Sequence, residues 1–197
     1  MIIDAKIDIR LRVLIPAVEN SIDKNSYHPG DVLTTRSGKT VEIGNTDAEG
    51  RIILADSLSF ATEENVDLLI DIATLTGAAR VALGPDLPAL FTQKDNTFKD
   101  IENQTLNQED MLWRLPLWES YKRYITSNTA DLNNSGSSSY AGAITAALFL
   151  KEFVPSQVDW VHIDSYCWND RNRAGRPIGG EATAIRSLFS FLQERYC

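Results

Sequence analysis

Residues 47–72 read DAEGRIILADSLSFATEENVDLLIDI. In the first part, Ile52, Ile53, Ala55, Leu58, Phe60 and Ala61 recur at roughly helical spacing, which predicts a helix from Asp47 to about Glu64. Val66 to Ile72 is then an apolar run broken only by acidic residues, the pattern of an interior strand covered on both faces. A helix leading directly into a buried strand is the repeating unit of an α/β domain.

The flanking sequence continues that alternation. Upstream, Ile9 to Ile15 alternates and is rich in branched residues up to Pro16, which predicts a buried strand. Asp31–Arg36 and Lys39–Ile43 are β-prone runs joined by Ser37-Gly38, a hairpin signal. Downstream, the pattern predicts a short Ala-rich helix over Gly77–Leu83 closed by Gly84-Pro85, a strand over Leu87–Thr92 and a polar helix over Thr97–Asp110. In Trp113-Arg114-Leu115-Pro116-Leu117, Pro116 is expected at a helix entry. Leu132–Tyr140 and Asn169–Gly180 read as polar loops, Ala143–Val154 as a buried helix and Asp159–Tyr166 as a strand. The last helix, Glu181–Tyr196, carries Ala182, Ile185, Leu188, Phe189 and Leu192 on one face. The expected class is α/β, a central mixed, largely parallel sheet flanked by helices on both faces. We read one domain over 1–197, without repeat or linker. Ile2–Asp8 runs into a strand-like segment with no opening element, so the sheet is expected to lack its first elements.

With 197 residues, 43% of them hydrophobic and 23% charged, the composition is that of a globular protein. A net charge of −8 argues against nucleic acid or an anionic membrane as partner, because both select clustered Lys and Arg. Cys167 and Cys197 form no disulfide framework, and no apolar run has the length of a membrane span. A cytoplasmic location is expected.

The chemistry concentrates in Gly44-Asn45-Thr46-Asp47-Ala48-Glu49-Gly50-Arg51. Two carboxylates two residues apart share a side if the backbone is extended, and can then reach one divalent ion. The same residues also suit a capped helix with an acidic first turn, which the helix dipole favours. Arg51 adds a fixed positive fork for an anion. His28 and His162, despite the affinity of imidazole for metals, are expected to be structural, as are Asp71 and Asp164 at strand ends, where carboxylates bond to loop amides.

Asn45-Thr46-Asp47-Ala48-Glu49-Gly50-Arg51 resembles the signature of the leucyl (cytosol) aminopeptidase family, with Ile52 in place of its final Leu. Matching stretches keep the family's order: Pro16-Ala17-Val18-Glu19-Asn20, Pro29-Gly30-Asp31-Val32, Gly38-Lys39-Thr40-Val41-Glu42, Asp71-Ile72-Ala73-Thr74-Leu75-Thr76-Gly77-Ala78 and Gly142–Leu150. His162-Ile163-Asp164-Ser165-Tyr166-Cys167-Trp168, with Gly175–Ala182, is similar to a bacterial subgroup. The resemblance implies a metal-dependent aminopeptidase that releases leucine-type residues from peptide amino ends. It implies two divalent ions (Mn2+ or Zn2+) with Asp47 and Glu49 as metal ligands, Glu49 bridging. It makes Arg51 the catalytic residue that holds a bicarbonate, and Thr74, Leu75 and Gly77 the substrate-binding segment. Peptide substrates and a homo-oligomer, a hexamer, are the implied partners.

The family's other ligands, a lysine and two aspartates, and its second catalytic lysine lie upstream of the segment that begins at Ile9, and no matching motif stands here. The chain is therefore expected to be the C-terminal part of the catalytic domain, without the N-terminal domain, and inert by itself. Two classes of function stay open, a piece of a working metallo-exopeptidase and a non-catalytic module that only folds, assembles or binds.

Overall fold

The Ser37-Gly38 turn folds as its sequence predicts. In the computed structural model, which describes residues 1–18 and 26–197, β1 (Val32–Thr34) and β2 (Thr40–Glu42) pair antiparallel across it. Gly38 sits at a φ of +85°, a conformation that disfavours any side chain. A 3-10 turn, Thr46–Ala48, runs straight into α1 (Glu49–Ala61). There follow β3 (Leu69–Ala73), α2 (Gly77–Leu83), β4 (Ala89–Thr92), α3 (Asp95–Gln108) and β5 (Trp113–Arg114). A second 3-10 stretch, Glu119–Tyr124, leads to β6 (Leu132–Asn133), α4 (Gly142–Lys151) and β7 (Trp160–Asp164). The chain ends with β8 (Trp168–Asn169), β9 (Gly179–Gly180) and α5 (Ile185–Tyr196).

The main sheet has the order β3-β7-β4-β5, and its pairings are parallel, antiparallel and parallel in turn. This is the mixed, largely parallel sheet that the sequence predicts. Strand alternation explains the layers. Trp160 of β7 packs with Leu54 and Leu58 of α1 and Phe149 of α4, whereas Val161 and Ile163 pack with Ile101 of α3 and Phe191 of α5. The two faces are thus covered by different helices. Between α2 and α4 there is no room for a side chain at Gly142, where a Cβ would lie 2.9 Å from that of Ala78. A smaller sheet, β1-β2-β6, stands beside the main one.

Several expectations change. Ile9–Ile15 is not a strand: the stretch forms no ladder, and Val13 and Ile15 are 67% and 85% exposed. A strand needs a neighbour, and among the described residues none lies alongside. Arg10 and Arg12 reach Glu64 instead, and Arg12 stacks on Phe60. For the same reason β3 is an edge of the sheet rather than an interior strand, and it starts at Leu69, three residues later than the apolar run. Pro116 enters no helix; Trp113–Arg114 pairs with β4, and the 3-10 stretch begins only at Glu119. Both expected loops contain ladder residues, since β6 pairs with β2 and β8 with β9. The Glu19-Asn20 end of one matching stretch lies outside the described residues. Among the described residues no helix is long and apolar enough to cross a membrane.

Inside the β3–β7 pairing, Asp71 stands opposite His162. His162 Nδ1 lies 2.5 Å from Asp71 Oδ1, and Trp160 Nε1 donates to Asp71 Oδ2 at 2.7 Å. His162 is a buried core residue, as expected, whereas His28 lies exposed beside the Pro29-Gly30 turn. Burial works against charge on the His162 imidazole, but Asp71 and, further off, Asp164 outweigh it, so the pKa lies above the ordinary 6.5. Protonated His162 therefore stabilises the fold fully below pH 6.5, and that stabilisation fades as pH rises through the raised folded value. The stability difference between the parent chain and His162→Gln, measured by urea unfolding, should fall between pH 6 and 9. A constant difference would show that His162 carries no charge in the fold.

Candidate active site

Three segments meet at the carboxyl ends of β3 and β7. Because these strands are parallel, their ends coincide, and open α/β sheets bind ligands at that edge. The first segment is the turn and helix start carrying Asp47, Glu49 and Arg51. The second is Thr74–Gly77, which connects β3 to α2, and the third is Asp164 at the end of β7. Asp47, Glu49, Arg51, Thr74, Leu75 and Gly77 all line one cleft of about 1640 Å3. The first two segments touch, since a Cβ on Gly50 would lie 3.8 Å from Leu75 Cδ1.

The Asp47–Glu49 pair is not presented by extended backbone. Asn45 Oδ1 accepts from the Asp47 amide at 3.0 Å and so caps the 3-10 turn, and Glu49 is already helical at φ −67° and ψ −34°. In helical backbone, positions two apart diverge by roughly 200° around the axis. Any convergence on one ion must come from the side chains. Asp47 is exposed; Glu49 is half-buried, and its Oε2 is buried without a hydrogen-bond partner. An orphaned carboxylate oxygen facing a cleft fits a cation. The donors are hard oxygens, which suit Mn2+ and are accepted by Zn2+. Among the described residues, however, no three His, Cys, Asp or Glu side chains gather as a metal site. These residues fit part of a metal centre.

Arg51 completes the electrostatics. Its Nε and Nη1 are buried without hydrogen-bond partners, and the guanidinium lies 5.9 Å from the ring centre of Phe149. Burial pushes its pKa down to about 10, with Asp164 pulling the other way, so it stays cationic at neutral pH. A buried fork of unpaired N–H donors is a receptor for a planar anion.

Asp164 was expected to bond to loop amides, and the structure identifies the loop. Its Oδ1 accepts from the Leu75 and Thr76 amides at 3.0 and 3.1 Å, and its Oδ2 from the Thr76 hydroxyl at 2.5 Å. Thr76 Oγ1 in turn accepts from the Ala79 amide at 3.0 Å and caps α2. Thr74 and Gly77 face the cleft from either side of this knot, both exposed. The sequence carries one signal for the knot, a threonine just ahead of an Ala-rich helix, which is the composition of a cap. Its partner 88 residues away leaves no local trace. Burial raises the Asp164 pKa, against the bonds from Thr76 and Leu75 and the charge of His162.

The family model for the catalytic domain of the cytosol aminopeptidase family matches residues 1–189. A probable cytosol aminopeptidase of Prochlorococcus marinus (strain AS9601) is 41% identical over 189 residues, 95% of this chain and 38% of that protein. One from Chlorobium phaeobacteroides is 43% identical over 194 residues, again 38% of its length. Among solved structures, the cytosol aminopeptidase from Coxiella burnetii is 54% identical with a TM-score of 0.96, covering 100% of this chain and 43% of that one. The bottromycin maturation enzyme BotP, in complex with Mn, is 36% identical with a TM-score of 0.83, covering 89% and 40%. The chain spans 38% of the length of the curated relatives it matches.

Removing the Asp164 carboxylate leaves the Leu75 and Thr76 donors without their acceptor. An unmet buried donor costs about 1–3 kcal/mol, so Asp164→Ala should lower unfolding free energy by about 2 kcal/mol or more. A urea midpoint equal to that of the parent chain would contradict the assigned role.

Proposed function

The chain belongs to the cytosol aminopeptidase family, and from that premise we propose that it supplies part of the active site of a metal-dependent aminopeptidase acting on peptide amino ends. One observation carries this reading: Glu49, with Oε2 buried and unpartnered, and Arg51, with Nε and Nη1 buried and unpartnered, line the same cleft as Thr74–Gly77. Asp47 and Glu49 would hold divalent ions, Mn2+ or Zn2+. Such paired ions activate water at neutral pH and polarise a carbonyl.

The chain's own residues do the rest. Arg51, cationic and short of acceptors, would hold a bicarbonate beside the reacting centre, and such an anion would supply a base there. Thr74–Gly77, fixed by Asp164, receives the substrate backbone, and the exposed Gly77 leaves room for the first side chain, of leucine type. The net charge of −8 disfavours nucleic acid as a partner. A cytoplasmic location and a hexamer are further parts of this proposal, supported by the family.

Asp47 and Glu49 are two carboxylates, and among the described residues no three His, Cys, Asp or Glu side chains gather as a metal site. Two ions held at hydroxide-activating distance need more donors than that. The 197 residues by themselves are therefore proposed to be catalytically inert. A chimaera in which this chain replaces the matching 43% of the Coxiella burnetii enzyme is proposed to supply the remaining donors. That chimaera should release leucine from a leucyl amide only with Mn2+ or Zn2+ supplied, whereas residues 1–197 alone should not. In the chimaera, Glu49→Ala should reduce bound metal by elemental analysis and lower turnover at least 100-fold, in line with the rate loss on removing a key electrostatic group. Full metal content in Glu49→Ala would sink the ligand assignment.

A further inference from the structure

Among the described residues, Asn134 is the one fully buried side-chain amide beside the Gly44–Arg51 segment, at 0% exposure, and the activity proposed above gives it no task. It follows directly on β6, whose residues Leu132 and Asn133 run parallel to Val41 and Glu42 of β2. The ladder continues one step further, with the Asn134 amide donating to the Glu42 carbonyl at 3.0 Å. This sets the Asn134 side chain against the start of the acidic segment, 90 residues earlier in sequence.

All four hydrogen-bonding positions of its amide are used on that segment. Oδ1 accepts from the Gly44 and Asn45 backbone amides at 2.8 and 3.1 Å. Nδ2 donates to the Asn45 and Ala48 carbonyls at 2.8 and 3.3 Å. The group fits one way round only, because its oxygen meets two donors and its nitrogen two acceptors. Asp47 lies between the clamped points, Glu49 directly after the second. Gly44 seals the junction: a Cβ there would lie 2.1 Å from Ser135 Oγ and 2.6 Å from Asn133 Oδ1.

We propose that Asn134 is the positioning residue of the Asp47–Glu49 segment, fixing its backbone in one geometry before any ion arrives. A site held in advance binds an ion without first having to order its ligands. Asparagine suits the task as no other side chain of its length does: aspartate cannot donate, serine cannot bridge, and leucine would leave the Gly44 and Asn45 amides without their acceptor. The clamp stands on its own hydrogen bonds; only its purpose, metal binding, rests on the proposed aminopeptidase reading.

Amide hydrogen exchange on the 197-residue chain tests it. Asn134→Ala should speed exchange at the Gly44 and Asn45 amides at least tenfold while β3 and β7 stay as in the parent. Asn134→Asp keeps the acceptor for those two amides but sets its second oxygen against the Asn45 and Ala48 carbonyls, so exchange at the two amides should fall between that of the parent and that of Asn134→Ala. A residue that merely fills space predicts the opposite order, because a bare buried carboxylate disrupts more than a methyl group does. An aspartate variant exchanging faster than the alanine variant, or no change in either, overturns the clamp. An alanine variant that fails to fold beside a protected aspartate variant supports it. In the second arm, loss of the free Mn2+ spin-resonance signal measures ion binding, and Asn134→Ala should bind at least tenfold more weakly. Equal Mn2+ affinity in parent and Asn134→Ala overturns the positioning role. If parent and Glu49→Ala bind Mn2+ equally, it is the metal reading that fails, and the exchange order still decides the clamp.

Discussion

Five residues of β3 run parallel to five of β7, from Leu69 beside Trp160 to Ala73 beside Asp164, and this shared direction decides where chemistry can happen. Parallel strands end at the same edge, so the turn after β3 and the last residue of β7 are neighbours by construction. Asp164 exploits that adjacency by taking the Leu75 and Thr76 amides, and the Ser165 amide extends the ladder to the Ala73 carbonyl. Thr76 passes the order on by capping α2. Deeper in the same pairing, Asp71 and His162 tie the strands by a buried polar contact rather than by packing alone. An antiparallel or slipped register would separate every one of these groups.

Against that fixed edge, the acidic segment resolves two demands that look opposed. Carboxylates in a first helical turn stabilise the helix by about 0.3–1 kcal/mol each through its dipole. Ligands must instead leave lone pairs free. Here the capping task falls to Asn45, through its own side chain, and to the helix backbone. Asp47 and Glu49 are thereby released from local bonding, and Glu49 keeps an unpartnered oxygen. The acidic first turn and the proposed ligand pair are the same residues, used at two levels, helix formation and the proposed ion binding.

Much of this was legible in residue order. Helical spacing located α1 and α4, the Ser37-Gly38 pair located the hairpin, and the Gly77–Leu83 helix has the predicted limits. Local rules succeed where a segment's own side chains settle its conformation. They fail where a partner decides. Ile9–Ile15 has a strand's alternation yet no strand beside it, and β6 has no strand pattern yet pairs with β2. The site divides the same way. The acidic segment was conspicuous, and of its two readings the capped helix start is the one that forms, as a 3-10 turn running into a helix. The contacts of Asp164 with Thr76 and of Asn134 with Gly44 span 88 and 90 residues, and nothing in either neighbourhood points to the other end.

The central claim is that Glu49 and Asp47 hold metal beside Arg51 and the Thr74–Gly77 turn. Anomalous scattering at the manganese edge, from crystals of the chimaera that carries this chain grown with Mn2+, tests it most directly. Two peaks about 3.5–4 Å apart, with the Glu49 carboxylate touching both, are the predicted result. Peaks elsewhere in the cleft, or a Glu49 carboxylate turned away from them, would contradict it.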